Sequence, residues 1–198
     1  MNFLLGVTGG IAAYKAADLA SVLVNKTKDD VNPVLQPVQI VMTEAAKRII
    51  TPLTLATISK RPVLDDIAEW SGDGHIWHIE LAKWTGIFIV VPATANTIAK
   101  MAQGIADNLL TSIYLALPKD TPVVIFPAMN TKMWENPQTQ KNITELYNRP
   151  WHKIVDPEVG LLACGDIGKG KLPSVKTMAE AIWHYEEQNA SCFQPGNK

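Results

Sequence analysis

Residues 87–91 read Ile-Phe-Ile-Val-Val, five apolar side chains in a row with no polar position on either face. A run that short and uniform is satisfied as a strand covered on both sides, the signature of a parallel sheet sandwiched by helices. Runs of similar character stand at 3–7, 38–42, 123–126 and 154–155. Between them lie stretches with helical spacing, at 11–25, 94–102, 108–117, 137–147 and 176–188, and Pro52 opens one more helix candidate. The alternation defines the expected fold as α/β, a three-layer parallel sheet with helices on both faces. In such a sheet ligands gather outside the carboxyl ends of the strands. The segments that carry chemistry fall there: Thr8 to Ile11, Thr43, residues 92–97 and residues 127–130.

Size and composition narrow the class. With 198 residues, at a soft prior of ~150 per domain, the chain reads as one domain over 1–187 with a flexible tail over 188–198. A net charge of -1 and a pI near 6.4 exclude a strongly basic nucleic-acid binder. The longest apolar runs fall far short of the ~20 residues of a membrane span. No basic segment precedes the first apolar stretch, so no signal peptide is expected. Cys164 sits in a Gly-rich stretch and Cys192 in the polar tail, which argues for free thiols and a cytoplasmic setting. Thr27 to Pro37 is polar, contains Pro33 and Pro37, and reads as a loop.

Several segments carry possible chemistry, and each has a plainer reading. Thr8-Gly9-Gly10-Ile11 joins a strand to a helix without the spacing of a dinucleotide fingerprint or a P-loop. Bare backbone N–H groups at a helix start suit an anion, such as a mononucleotide phosphate. The Gly pair alone is equally an ordinary tight turn. Thr94-Ala95-Asn96-Thr97 can cap a helix, or can border a flat ring that the small alanines allow to approach. Asn130, in Pro127-Ala128-Met129-Asn130, offers an amide to a carboxylate, or is an Asn tolerated in a turn. His75 and His78 are three apart, but no Cys, Asp or Glu constellation completes a metal site, so no metal is expected. A single imidazole near a strand end can move a proton; alone it is more often structural. Cys164, among Gly165, Gly168 and Gly170, reads as a proton donor on a mobile flap, or as an incidental Cys in a Gly-rich connector.

Five blocks occur together and in order: 6–15, 78–84, 92–110, 127–130 with Met133-Trp134, and 163–170. With them the chain resembles the flavin-dependent, homo-oligomeric cysteine decarboxylases over about residues 3–185. The resemblance implies a flavodoxin-like or Rossmann-like fold and FMN as cofactor. It also implies a trimeric unit, often built into a dodecamer, with the flavin near a subunit interface. By resemblance Gly9, Gly10, Ile11 and Thr43 lie around the FMN phosphate and ribityl chain. Thr94, Ala95, Asn96 and Thr97 line the flavin, with Ala128 beside it. His78 matches the active-site histidine, Asn130 the asparagine that holds the substrate carboxylate, and Cys164 the cysteine that protonates the intermediate. The substrate implied is 4′-phosphopantothenoylcysteine, and the product 4′-phosphopantetheine, in coenzyme A biosynthesis.

The chemistry explains the parts. Loss of CO2 from a cysteine carboxylate leaves an unstabilised carbanion, and no side chain accepts its electrons. Oxidation of the Cβ–S unit to a thioaldehyde places the carboxylate β to a C=S group, so CO2 leaves an enethiolate. Protonation and return of hydride then give the saturated thiol. A neutral amide at Asn130 holds the carboxylate without trapping it as a cation would.

The sequence departs from the family at three places. Thr85-Gly86 stands where Ala-Asp is frequent, the loop over 26–37 is long, and Lys171-Leu172 replaces Arg-Met in the flap. Lys171 keeps that arginine's charge but not its bidentate geometry. No length remains for a ligase domain, so a stand-alone decarboxylase is expected. The alternatives are a peptidyl-cysteine decarboxylase, whose enethiol product needs no reducing Cys, and a non-catalytic regulatory protein on the same fold. A prenylated-flavin-forming relative ranks behind both. Cys164 in Ala-Cys-Gly-Asp argues against the peptidyl enzyme, and the retained His and Cys argue against the regulator.

Overall fold

The computed structural model describes residues 1–25, 36–72 and 74–189. In chain order the elements are β1 (Phe3–Val7), a 3-10 turn (Ile11–Tyr14), α1 (Lys15–Val24), β2 (Val38–Met42), α2 (Glu44–Lys47), α3 (Pro52–Ser59), α4 (Asp66–Glu69) and α5 (Trp77–Trp84). There follow β3 (Ile87–Ala93), α6 (Ala95–Gln103), α7 (Leu109–Ala116), β4 (Val123–Pro127), α8 (Thr131–Glu135), α9 (Pro137–Tyr147) and β5 (His152–Ile154). A hairpin of β6 (Glu158–Leu161) and β7 (Ile167–Lys171) precedes α10 (Val175–Asn189).

The main sheet is parallel throughout, in the order β2-β1-β3-β4-β5. This is the doubly wound order of flavodoxin-like folds, and its direction reverses between β1 and β3. The strands are apolar on both sides because both sides are covered. Phe3, Leu5, Val7, Ile87, Ile89 and Val91 pack with α1 and α10 through Leu19, Leu23, Met178 and Ile182. Their neighbours Leu4, Phe88, Val90 and Ile125 pack on the opposite face with Ile98, Met101, Leu110 and Ile113 of α6 and α7. Phe88 is wholly buried, and truncating it to Ala costs about 3–5 kcal/mol. Gln39, the polar residue inside β2, is satisfied: its Nε2 donates to the Pro62 carbonyl at 2.7 Å.

Helix starts follow local chemistry. Thr43, Thr51, Asp65, Thr94, Asn108 and Asn130 each accept a backbone N–H at the start of α2, α3, α4, α6, α7 and α8. The long strand continues through Pro92 and Ala93, two residues beyond the apolar run, and the helix expected over 11–25 begins as a 3-10 turn. The segment read from its glycines as a flap is an antiparallel hairpin. Residues 188 and 189, assigned to the tail by sequence, lie in α10. The rest of that tail and residues 26–35 of the long loop lie outside the described residues.

Candidate active site

Four loops converge at the carboxyl edge of the sheet, after β1, β2, β3 and β4. Thr8 joins two of them. Its buried Oγ1 donates to the Pro92 carbonyl at 2.5 Å and accepts the N–H of Thr94 at 3.1 Å. Gly9 lies so close to Ala45 that a Cβ would overlap the alanine methyl, which explains the bare residue there. Ile11 is 65% exposed and opens the 3-10 turn, whose start has no side-chain cap. The first N–H groups of such a turn are left for another acceptor.

Two contiguous clefts occupy this edge. The first has a volume of about 580 Å³ and is lined by Gly9, Gly10, Ile11, Thr94, Ala95, Ala128, Asn130 and Cys164, among others. The second, about 480 Å³, is lined by Gly9, Thr43, Thr94, Ala95, Asn96 and Thr97, with Asp66, Lys100 and Asp107. Gly9, Thr94, Ala95 and Met133 border both. Every residue that the resemblance assigns to the cofactor therefore lines one cleft or the other.

The walls suit a flat, amphipathic anion. Ile11, Met133, Leu161 and Leu162 give the first cleft apolar surface, while Thr94 and Asn130 give it polar groups. Its formally charged lining residues are Lys15 and Lys171, both cations. The second cleft carries three carboxylates, one held by Lys100 at 2.7 Å from Asp107. The first volume lies within the ~300–1,000 Å³ usual for cofactor sites. Apolar surface, cations and the bare Gly9–Gly10 backbone together fit a flat aromatic group that carries an anionic end.

Asn130 and Cys164 come from segments 34 residues apart and meet here. The Asn130 Nδ2 amide donates to Cys164 Sγ at 3.2 Å. Asn130 Oδ1 is committed to the N–H of Lys132 at 2.9 Å, where it caps α8, so the amide N–H groups face the thiol. The thiol in turn donates to Asp166 Oδ2 at 3.4 Å, within the tip of the hairpin. Gly165 in that tip has φ +89°, a conformation open to glycine.

The hairpin is docked on the loop after β4. The Met129 N–H donates to the Gly170 carbonyl at 3.0 Å. A Cβ at Gly170 would overlap the Met129 carbonyl, and one at Gly168 would overlap Thr131 Oγ1. Lys169 bonds Asp156 at 2.5 Å and sits 5.4 Å from the ring centroid of Trp134. The glycines thus permit close backbone approach as well as a turn.

His78 lies elsewhere. It is the second residue of α5 and lines neither cleft. Its Nδ1 is bonded to Glu69 Oε1, and its backbone N–H donates to Glu69 Oε2 at 3.0 Å. His75 pairs with Glu80 at 3.0 Å and stacks on Trp77 with centroids 4.6 Å apart. Among the described residues no group of three or more His, Cys, Asp or Glu could hold a metal. Sequence reasoning passed over Glu69, and it placed Thr8 in the first turn without the bonds it makes to Pro92 and Thr94. Glu69 carries no spacing signal, and only the hydroxyl of Thr8, at the end of an apolar strand, hinted at a bond.

Fold order, switch-point clefts and strand-end glycines define a doubly wound, nucleotide-cofactor class of protein. The family described as Flavoprotein matches residues 1–185, and the chain belongs to it. The chain is 46% identical over 187 residues to a "Probable phosphopantothenoylcysteine decarboxylase" of Streptococcus mutans, covering 94% of this chain and 98% of that one. It is 41% identical to a "Coenzyme A biosynthesis bifunctional protein" of Escherichia coli, covering 95% of this chain and spanning 44% of that relative's length. Among solved structures, a mutant PPC decarboxylase "complexed with pantothenoylaminoethenethiol" superimposes with TM-score 0.83 at 29% identity, covering 94% of this chain and 98% of that one. "The FMN binding protein AtHal3" does so with TM-score 0.81 at 30% identity, covering 94% and 97%. Membership in this family gives the chain a flavin cofactor. No helix among the described residues is long and apolar enough to cross a membrane.

Proposed function

We propose that this chain, as one flavin-binding domain over about 1–187, decarboxylates 4′-phosphopantothenoylcysteine to 4′-phosphopantetheine with FMN as cofactor. The observation that carries this reading is the Asn130–Cys164 contact at the wall of the first cleft. The 46% identity to a decarboxylase over nearly its whole length supports it. Bound there, FMN supplies a reversible two-electron acceptor, a capacity no side chain has. Gly9, Gly10, Ile11 and Thr43 take its phosphate and ribityl end, and Thr94, Ala95, Asn96, Thr97 and Ala128 border its ring.

The roles of the chain's own groups follow from their geometry. The Asn130 amide donates to the substrate carboxylate and orients it without a countercharge that would stabilise it against leaving. Cys164 gives its proton to the enethiolate carbon after CO2 departs. Apolar Leu161 and Leu162 line the cleft beside Cys164. His78 accepts a proton during oxidation of the substrate. Because His78 lies outside the clefts of its own chain, a second copy brings it to them, in keeping with the trimer or dodecamer that the resemblance implies. Free Cys164 suits the cytoplasm, where thiols stay reduced.

Mass spectrometry of the product tests the reading. The purified protein should be yellow and convert 4′-phosphopantothenoylcysteine to a species lighter by CO2. Cys164→Ser should still release CO2 while an oxidised or enethiol product accumulates. Normal yield of saturated thiol from that variant would remove Cys164 from its role, and a colourless protein without affinity for FMN would sink the whole assignment.

A further inference from the structure

Glu69 spends both carboxylate oxygens on one residue. Oε2 accepts the backbone N–H of His78 at 3.0 Å, and Oε1 bonds the ring Nδ1 of the same histidine. The Glu69 side chain is 13% exposed and that of His78 32% exposed. An ionised carboxylate only accepts, so the bond fixes the imidazole proton on Nδ1 and leaves the Nε2 lone pair free.

The carboxylate is itself held in place. Glu69 ends α4, whose first turn is capped by Asp65 Oδ1 accepting from Ile67 and Ala68 at 3.0 and 3.3 Å. Asp65 Oδ2 also bonds Lys47 at 2.6 Å, and Asp66 Oδ1 accepts the Leu109 N–H at 2.7 Å at the start of α7. Asp66 lines the second cleft, so the turn that carries Glu69 is part of the cleft wall. A helix cap alone would need one oxygen; here the other is aimed at the ring.

We propose that Glu69 is a positioning residue for His78, fixing its tautomer and ring orientation so that Nε2 is the atom offered to the reacting proton. This rests on the reading of His78 as a participant in the reaction. A hydrogen-bonded partner on one ring nitrogen decides what the other does. The balance is simple: Nε2 takes the proton, Nδ1 keeps its own, and Glu69 stabilises the imidazolium without accepting a proton itself.

The test combines ring spectroscopy with a double-variant comparison, on the flavin-loaded protein. In ¹⁵N-histidine NMR above pH 8, wild-type His78 should show Nδ1–H, and Glu69→Ala should move it toward Nε2–H. Glu69→Ala should lower kcat by about 10–100-fold with KM changed less than about 3-fold, since proton transfer contributes about 10²–10⁴-fold. Glu69→Gln keeps one acceptor oxygen and should retain the Nδ1–H signature with turnover between the two. The Glu69→Ala, His78→Asn double variant should be no slower than His78→Asn alone, because residues acting as a unit are non-additive. Unchanged ring signals or near-wild-type kcat in Glu69→Ala, or a double variant slower than His78→Asn, would overturn the role of Glu69. Full activity in His78→Asn would instead remove the underlying reading of His78, and the positioning role with it.

Discussion

The Asn130 amide donates to Cys164 Sγ at 3.2 Å, while its own carbonyl oxygen caps α8 through the N–H of Lys132. One side chain thus divides its two ends between a structural bond and the cleft. Asn130→Asp keeps the cap oxygen but replaces the donor with a like charge for the substrate carboxylate. A lost hydrogen bond to a charged group is worth ~1.5–3 kcal/mol, so turnover should fall about 10–100-fold or further with little change in melting temperature. Asn130→Ala should lose both the turnover and about 1 kcal/mol of stability from the missing cap. Steady-state kinetics and thermal unfolding of the two variants separate the halves; equal stability in both would contradict the split.

The docked hairpin gives a second expectation. A Cβ at Gly170 overlaps the Met129 carbonyl, and one at Gly168 overlaps Thr131 Oγ1. Gly168→Ala and Gly170→Ala should lift the hairpin and carry Cys164 away from Asn130. The product mixture should shift toward the unreduced enethiol, as with Cys164→Ser, and mass spectrometry reads that shift directly. A wild-type product ratio would mean that the hairpin adjusts without moving the thiol.

The two glycines of the first turn should not be equivalent. A Cβ on Gly9 would overlap Ala45, whereas one on Gly10 meets Pro92 Cγ at 3.3 Å, a tight but adjustable contact. Gly9→Ala should therefore separate the loops after β1 and β2 and weaken flavin binding strongly, and Gly10→Ala much less. Fluorescence titration of the apoprotein with FMN decides it; the reverse order would locate the phosphate away from this turn.

Far from the clefts, His152 provides a pH dependence of stability. Its Nδ1 donates to the Pro150 carbonyl at 2.9 Å, and its Nε2 accepts from the Tyr114 hydroxyl at 2.9 Å, which itself accepts from Arg149 at 2.8 Å. Burial, with the Arg149 charge, holds its pKa below the ordinary value, although the Pro150 carbonyl opposes this. The unfolded chain therefore takes up the proton first, near pH 6.5. This contribution to stability is complete above that pH and is lost as the pH falls through the folded value. His152→Gln should be less stable than wild type at pH 8, and the gap should narrow toward pH 5. Denaturant unfolding across that range checks the sign; a gap that widens in acid would refute it.

The five parallel strands and the helices that cover them were legible from the sequence, because burial on both faces leaves Ile87 to Val91 no polar position. The caps Thr43 and Thr94 were legible for the same local reason: each acts within three residues of itself. Asn130, read as a ligand-holding or turn residue, proved to cap α8 as well. The short helices α4 and α8 gave too few turns to show a period. The hairpin was hidden by its glycines, whose need arises from contacts with Met129 and Thr131, far away in the chain. Tertiary structure alone placed Cys164 against Asn130, tied Thr8 to Pro92 and set Glu69 on His78. Sequence pattern records which face of each element avoids water, a property every residue carries locally. Which polar groups meet across the folded surface depends on how whole elements stack, and no single segment encodes that.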